Sequence, residues 1–230
     1  MVAKVARQHD QTGAEIVVLR PAVNERAART AQPLLSPGER RRAARYFRAA
    51  DRFRYVEVCA RRRLLLAARL GIPFEEVDIV AGTHGKPALA AGAPVDLRFN
   101  TSHSGDLAAF AFAVGREVGI DIEACRPAPD LDTVADQVLS DAERSAYHRL
   151  GPSDRPLAFY QAWTRKEAFA KADGRGLSLS LDGFDVSLGP HEPARILRVG
   201  TTPGDRCGWR LWSFSPAPGF VGALVMADRS

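Results

Sequence analysis

Twice along this chain, segments with helical periodicity give way to β-prone runs, and that order is the strongest restraint on how it can fold. The first cycle begins at "LSPGERRRAARYF", where Ser36 is a helix N-cap, Pro37 fills the first turn and Glu39 follows the cap by three residues, as in a capping box. A second helix is predicted from Asp51 to Leu70, with Phe53, Val56, Ala60, Leu64 and Ala67 on one face and Gly71 and Pro73 ending it. "EEVDIVAG" then reads as a strand, "THGKPAL" as a turn and "VDLRFNTSHSG" as a strand entering a glycine loop. "LAAFAFAV" and "VGIDIEA", joined by "GRE", read as a hairpin. The second cycle has helices near Leu131 to Leu139, after Ser140, where Glu143 repeats the capping-box spacing, and from Asp154 to Ala172. "LSLSLDGFDVSLG", "ARILRVG", "WRLWSFS" and "GFVGALVMA" follow as antiparallel strands. The expectation is an α+β fold of two similar lobes, residues 1–116 and 117–230, with a ligand cleft between them.

With 230 residues and 46% hydrophobic content the chain can bury a substantial core. No apolar run reaches membrane-spanning length, and the start "MVAKVARQHDQTGAE" lacks the apolar stretch of a secretory signal, so a cytoplasmic protein with no membrane contact is expected. Cys59, Cys125 and Cys207 are odd in number and far apart, which argues for reduced, structural thiols. The net charge is +5, and arginines dominate between Ser36 and Leu70. Such a face is either a solvated helix surface or an attractor of phosphates, nucleic acid or an acidic protein.

Four short stretches carry chemistry. In "VGIDIE" the side chains alternate, so Ile120 and Ile122 can enter the core while Asp121 and Glu123 share the opposite face. Two adjacent carboxylates repel unless a proton or a cation intervenes; the pair is either a solvated strand face or two ligands of a hard ion such as Mg²⁺. Trp163, Glu167 and Lys171 recur every four residues on one helix face, either as a surface ion pair beside a core aromatic or as a third acid and a phosphate-facing ammonium. "HGKPAL" sets Lys86 in a turn between Gly85 and Pro87, and "FNTSHSG" brings Ser102 and His103 from a strand, a collection of donors suited to an anion.

In this order and spacing, "HGKPAL", "FNTSHSG", "VGIDIE" and "FYQAWTRKEAFAKADGRGL" resemble 4′-phosphopantetheinyl transferases of the surfactin-synthetase-activating (Sfp-like) type. The resemblance runs from the "LSPGERRR" helix to the "LSLSLDGF" strand. It implies a pseudo-dimeric monomer with coenzyme A bound between two α+β lobes. It also implies a reaction in which a serine hydroxyl of an apo acyl or peptidyl carrier protein attacks the coenzyme pyrophosphate, takes phosphopantetheine and releases adenosine 3′,5′-bisphosphate. Asp121, Glu123 and Glu167 match the family's Mg²⁺ ligands, with Mn²⁺ as a substitute, and Lys171 matches the pyrophosphate contact. Gly85, Lys86, Pro87, Ser102 and His103 match coenzyme-binding positions, His103 near the 3′-phosphate. Glu167 and Glu143 are the two candidates for general base. Where relatives often place lysines for the 3′-phosphate this chain has Glu39, and Arg42 and Arg54 are the replacements at hand. The carriers implied are those of polyketide and nonribosomal peptide synthases. Two rival readings share parts of this pattern: a nucleic-acid-binding protein, which leaves the acids unexplained, and a metal-dependent phosphoesterase using water as nucleophile.

Overall fold

The computed structural model describes residues 6–8, 12–82, 84–175, 179–189, 192–200, 202–203 and 208–228; Cys207 and Gly176 lie outside them. In chain order, strands β1 (Ala6–Gln8) and β2 (Glu15–Leu19) precede helices α1 (Glu25–Ala31), α2 (Pro37–Ala43) and α3 (Ala49–Leu70). Strands β3 (Ile79–Ala81), β4 (Pro87–Leu89), β5 (Leu97–Ser104), β6 (Leu107–Val114) and β7 (Val118–Ala124) come next. Helices α4 (Leu131–Val138), α5 (Asp141–His148) and α6 (Arg155–Asp173) are followed by β8 (Phe184–Val186), β9 (Ile196–Val199), β10 (Thr202–Pro203), β11 (Trp209–Phe214) and β12 (Phe220–Ala227). The fold is α+β.

Strand alternation sorts the side chains into layers. The sheet ordered β1-β2-β6-β5 and the sheet ordered β11-β12-β7 press one face of each together. Between them lie Ile16 and Val18 of β2, Ala109, Ala111 and Ala113 of β6, Ile120 and Ile122 of β7, and Leu224 and Met226 of β12. The alanines on β6 keep this layer thin, while Phe110 and Phe112 on its other face pack with Val58, Leu66 and Leu70 of α3. On the far side, Ala223 and Val225 of β12 pack with Ala158, Ala162, Ala168, Phe169 and Ala172 of α6. The order is helix, sheet, sheet, helix. Among the described residues no helix is long and apolar enough to cross a membrane.

Both predicted capping boxes form, with the Ser36 and Ser140 hydroxyls accepting from the amides of Glu39 and Glu143 and each glutamate returning to its cap. Helix α3 ends at Gly71, whose φ of 67° is the left-handed conformation that a residue without Cβ adopts at least cost. Its buried face differs from the expected one. Val56, Cys59, Ala60, Arg63, Leu66, Ala67 and Leu70 are buried, whereas Leu64 falls off this stripe and is exposed.

The expected hairpin between "LAAFAFAV" and "VGIDIEA" does not form a ladder. β6 already has β2 on one edge and β5 on the other, so neither edge is left for β7, which pairs with β12 instead. The turn at Gly115 therefore carries the chain from one sheet to the other. The true hairpin is β5 with β6, turning at Gly105, whose φ is 56°.

Candidate active site

Alternation places Gly119, Asp121 and Glu123 on the face of β7 that looks toward α6. Gly119 decides how close the helix comes. A Cβ built there would lie 2.1 Å from the Ala168 carbonyl oxygen and 2.4 Å from the Ala172 nitrogen, so strand and helix touch backbone to backbone. That approach brings Lys171 onto Asp121, with Nζ donating to Oδ1 at 2.6 Å. The alternation argument for Ile120 and Ile122 holds, since both are 0% exposed, but the acid-bearing face is not a solvated one: Asp121 is only 3% exposed.

The acids lie within one electrostatic neighbourhood. Burial pushes the Glu167 carboxyl above its ordinary pKa; Lys171 opposes this, and the charges of Asp121 and Glu123 add to it. Glu123 is raised as well, by burial first and then by Asp121, against hydrogen bonds from Ser104 and Trp163 and the charge of Lys171. The His103 imidazole is held below its ordinary pKa by burial and by the positive charges of Arg54 and Lys171, with Asp121 acting the other way. His103 on β5 and Arg54 on α3 thus face the same corner as Lys171. Arg54 gives one guanidinium nitrogen to Asp51 at 2.9 Å, while its Nε is buried without a hydrogen-bond partner.

Whether these residues suit a divalent ion turns on Asp121. Its Oδ1 takes hydrogen bonds from Ser102 Oγ (2.7 Å) and Lys171 Nζ, but its Oδ2 is buried with no partner. A buried carboxylate oxygen left unpaired costs about 1–3 kcal/mol or more unless something completes it. The surrounding donors are carboxylate oxygens, the type a hard cation selects. Among the described residues, no three His, Cys, Asp or Glu side chains are gathered closely enough, as they stand, to enclose an ion. The donor chemistry fits a hard cation; the closing of the ligands around one is not built into this arrangement.

Other predicted residues are placed differently. Ser102 is buried, and its hydroxyl is committed to Asp121 and to the amide of Ile122 at 3.3 Å. Lys86 turns inward: its Nζ binds Glu117 (2.7 Å), the Val118 carbonyl (3.2 Å) and the Ala172 carbonyl (3.1 Å), capping α6 and fastening "HGKPAL" to it. Gly85 takes a φ of 82° in the turn, and Pro87 sits opposite Ala81 in the β3–β4 ladder. A cavity of about 650 Å³ opens there, lined by His84, Lys86, Pro87, Arg98, Glu117 and Arg175, with none of the acidic cluster in its wall. Arg42 borders a separate hollow with Gly38, Arg41, Arg45 and Tyr46, and its guanidinium lies 5.7 Å from the Tyr55 ring centre. Glu39, at a position where relatives often carry lysine, is held by Arg62 and Arg63 at 2.6 Å each.

Glu143 is not brought to the cluster. It is 4% exposed and three donors hold it: Oε2 takes the Ser140 amide (2.8 Å) and Lys166 Nζ (2.7 Å), and Oε1 takes the Val186 amide (2.7 Å). Lys166, 0% exposed, completes its own set with the carbonyls of Leu181 (2.7 Å) and Phe184 (2.6 Å). Burial pushes Glu143 up and Lys166 down, and each is the chief counterweight of the other. Buried and held by these donors, Glu143 is tied into an ion pair that joins α5 to α6 and β8.

Three residues escaped sequence reading. Gly119 has no functional group to single it out beside the acids it positions. Asn100 and Ser104, which alternate with Ser102 along β5, bind β7 through their side chains. Asn100, Ser102 and Ser104, polar at successive alternate positions and so on one face of β5, were the available signal.

The 4′-phosphopantetheinyl transferase superfamily profile matches residues 117–225, and the profile "4′-phosphopantetheinyl transferase, N-terminal" matches residues 21–114. The 4′-phosphopantetheinyl transferase HetI of Nostoc sp. is 32% identical over 194 residues, covering 84% of this chain and 78% of the relative. Sfp of Bacillus subtilis is 31% identical over 162 residues, 70% of this chain and 69% of its own. AcpT of Salmonella typhimurium is 43% identical over a shorter 126 residues, 55% of this chain and 62% of its own.

Proposed function

Because the chain belongs to the 4′-phosphopantetheinyl transferase superfamily, we propose that it transfers 4′-phosphopantetheine from coenzyme A to a serine of an apo acyl or peptidyl carrier protein. The serine oxygen forms a bond to the phosphorus that carries pantetheine, the bridging P–O bond to the adenosine 3′,5′-bisphosphate breaks, and the serine proton passes to a base. The enzyme is of the two-lobed, Sfp-like type, with lobes over residues 1–116 and 117–230, a reading supported by family profiles that meet between residues 114 and 117. It acts as a cytoplasmic monomer on carriers of polyketide and nonribosomal peptide synthases.

The observation that carries this reading is the buried, unpartnered Oδ2 of Asp121 beside Lys171. Asp121, Glu123 and Glu167 would hold Mg²⁺, or Mn²⁺ in its place. The ion would neutralise the diphosphate oxygens and stabilise the leaving group. Lys171, already 2.6 Å from Asp121, places an ammonium where charge grows on the departing phosphate. Glu167 takes the serine proton, directly or through a water. Arg54 and His103 receive the 3′-phosphate, for which the unpartnered Nε of Arg54 is a ready donor. Gly85 and Pro87 shape the nucleotide's turn, with Arg42 at its basic margin. Lys86 and Ser102 serve the same site by fixing α6 and Asp121.

The test is intact-protein mass spectrometry of an apo carrier incubated with coenzyme A, Mg²⁺ and the enzyme. One added phosphopantetheine on the carrier serine is expected. Cleavage of coenzyme A without any carrier would favour a phosphoesterase, and no transfer to a panel of carriers from both pathways overturns the assignment.

A further inference from the structure

β5 and β7 are edge strands of different sheets, yet they run side by side. In place of a backbone ladder, β5 offers side chains. The Ile120 amide donates to Asn100 Oδ1 (3.0 Å), the Ile122 amide to Ser102 Oγ (3.3 Å) and the Ala124 amide to Ser104 Oγ (3.0 Å). Each partner is 20 residues along the chain from the other, so the strands are parallel and the register is constant. The seam satisfies amides that an open edge would leave unpaired.

Two of the three rungs do more. A hydroxyl has a single proton and two lone pairs. With a lone pair already engaged by the strand amide, Ser102 gives its proton to Asp121 Oδ1 (2.7 Å), and Ser104 gives its proton to Glu123 Oε2 (2.6 Å). Among the described residues Asn100 makes no hydrogen bond to a carboxylate of the cluster; it closes the seam alone. The same backbone strand thus fixes each hydroxyl and carries the acid that the hydroxyl holds, so strand register and carboxylate rotamer are set together.

We propose that Ser102 and Ser104 are positioning residues that lock Asp121 and Glu123 in the rotamers a divalent ion requires, while Asn100 belongs to the seam and not to the site. This rests on the reading, given under Proposed function, that these acids hold such an ion. Partners of this kind orient the ligand, leave the outward oxygen for the ion and spare it the entropy of being ordered on binding.

The experiment measures Mn²⁺ binding to the full chain by electron paramagnetic resonance, with coenzyme A present throughout, alongside thermal unfolding. Ser102→Ala and Ser104→Ala are expected to weaken Mn²⁺ binding about 10–100-fold. Ser104→Thr, which keeps the hydroxyl, restores it, and Asn100→Ala lowers the melting temperature while leaving Mn²⁺ binding unchanged. Should Ser102→Ala fail to fold, the comparison of Ser104→Ala with Ser104→Thr carries the test. Unaltered binding in Ser104→Ala, or an equal loss in Asn100→Ala, overturns the positioning role alone. No Mn²⁺ binding by the unsubstituted protein overturns the metal reading and this proposal together.

Discussion

Replacing Gly119 by alanine should damage this protein out of proportion to the single methyl added. The new Cβ would fall 2.1 Å from the Ala168 oxygen, 2.4 Å from the Ala172 nitrogen and 2.9 Å from the Ala172 Cα. All three are backbone atoms, so trimming a neighbouring side chain cannot relieve the clash. Ordinary contact between such atoms needs about 3.5 Å, so α6 must retreat from β7 by roughly 1 Å or rotate. Overpacking of this kind costs about 1–3 kcal/mol, and the upper end is expected because helix and strand are both held by further packing. For a domain of this length that lowers the melting temperature by about 5–10 °C. The same retreat would stretch the 2.6 Å contact between Lys171 and Asp121 beyond hydrogen-bonding reach. A misplacement near 1 Å at reacting groups can cost about 10²-fold in rate. Circular dichroism melting and carrier loading followed by mass spectrometry, at a temperature where the variant is folded, separate the two effects. A Gly119→Ala protein that melts within about 2 °C of the parent and loads carriers at the parental rate would refute the claim that backbone contact sets the site.

Glu143→Ala should cost about 3–5 kcal/mol in chemical denaturation, because it strands the Lys166 ammonium in the core. The paired change Glu143→Leu with Lys166→Met should recover much of that stability and still load carriers; a folded but inert double variant would restore Glu143 as the base. Lys171→Ala should lower the loading rate about 10²-fold or more with little change in secondary structure, read by steady-state loading kinetics. Burial opposes ionisation of Glu39, but the Arg63 hydrogen bond, the Ser36 amide and the charges of Arg62 and Arg63 outweigh it and hold its pKa below the ordinary 4.5. The native state then binds fewer protons than the unfolded chain, so this contribution is complete above about pH 4.5 and is lost as pH falls through the depressed native value. Glu39→Gln should flatten that part of the acid limb in denaturation measured from pH 6 to pH 3, and an unchanged slope counts against it.

Local patterns were legible without coordinates. Capping boxes at Ser36 and Ser140, the glycine stop of α3, the alternation that buries Ile120 and Ile122, and the β-prone runs all depend on neighbours a few residues apart, where backbone sterics and hydrogen bonding act directly. The order of the four motifs likewise placed the acids Asp121, Glu123 and Glu167 among the candidates before any distance was known.

What the linear chain could not reveal was pairing. β6 and β7 read as a hairpin because a short turn joins them, but which strand edge is free depends on β2 and β5 having already taken both edges of β6. Glu143 was a candidate base by its place in the chain, but only packing shows it enclosed against Lys166, which is distant in sequence. Ser102 and Lys86, matched to the coenzyme, spend their polar atoms on Asp121, β7 and the end of α6. The inventory of residue types was settled by the sequence; their partners were settled by tertiary structure, because a polar group's chemistry depends on which of its few hydrogen-bonding directions remain open once the core has closed around it.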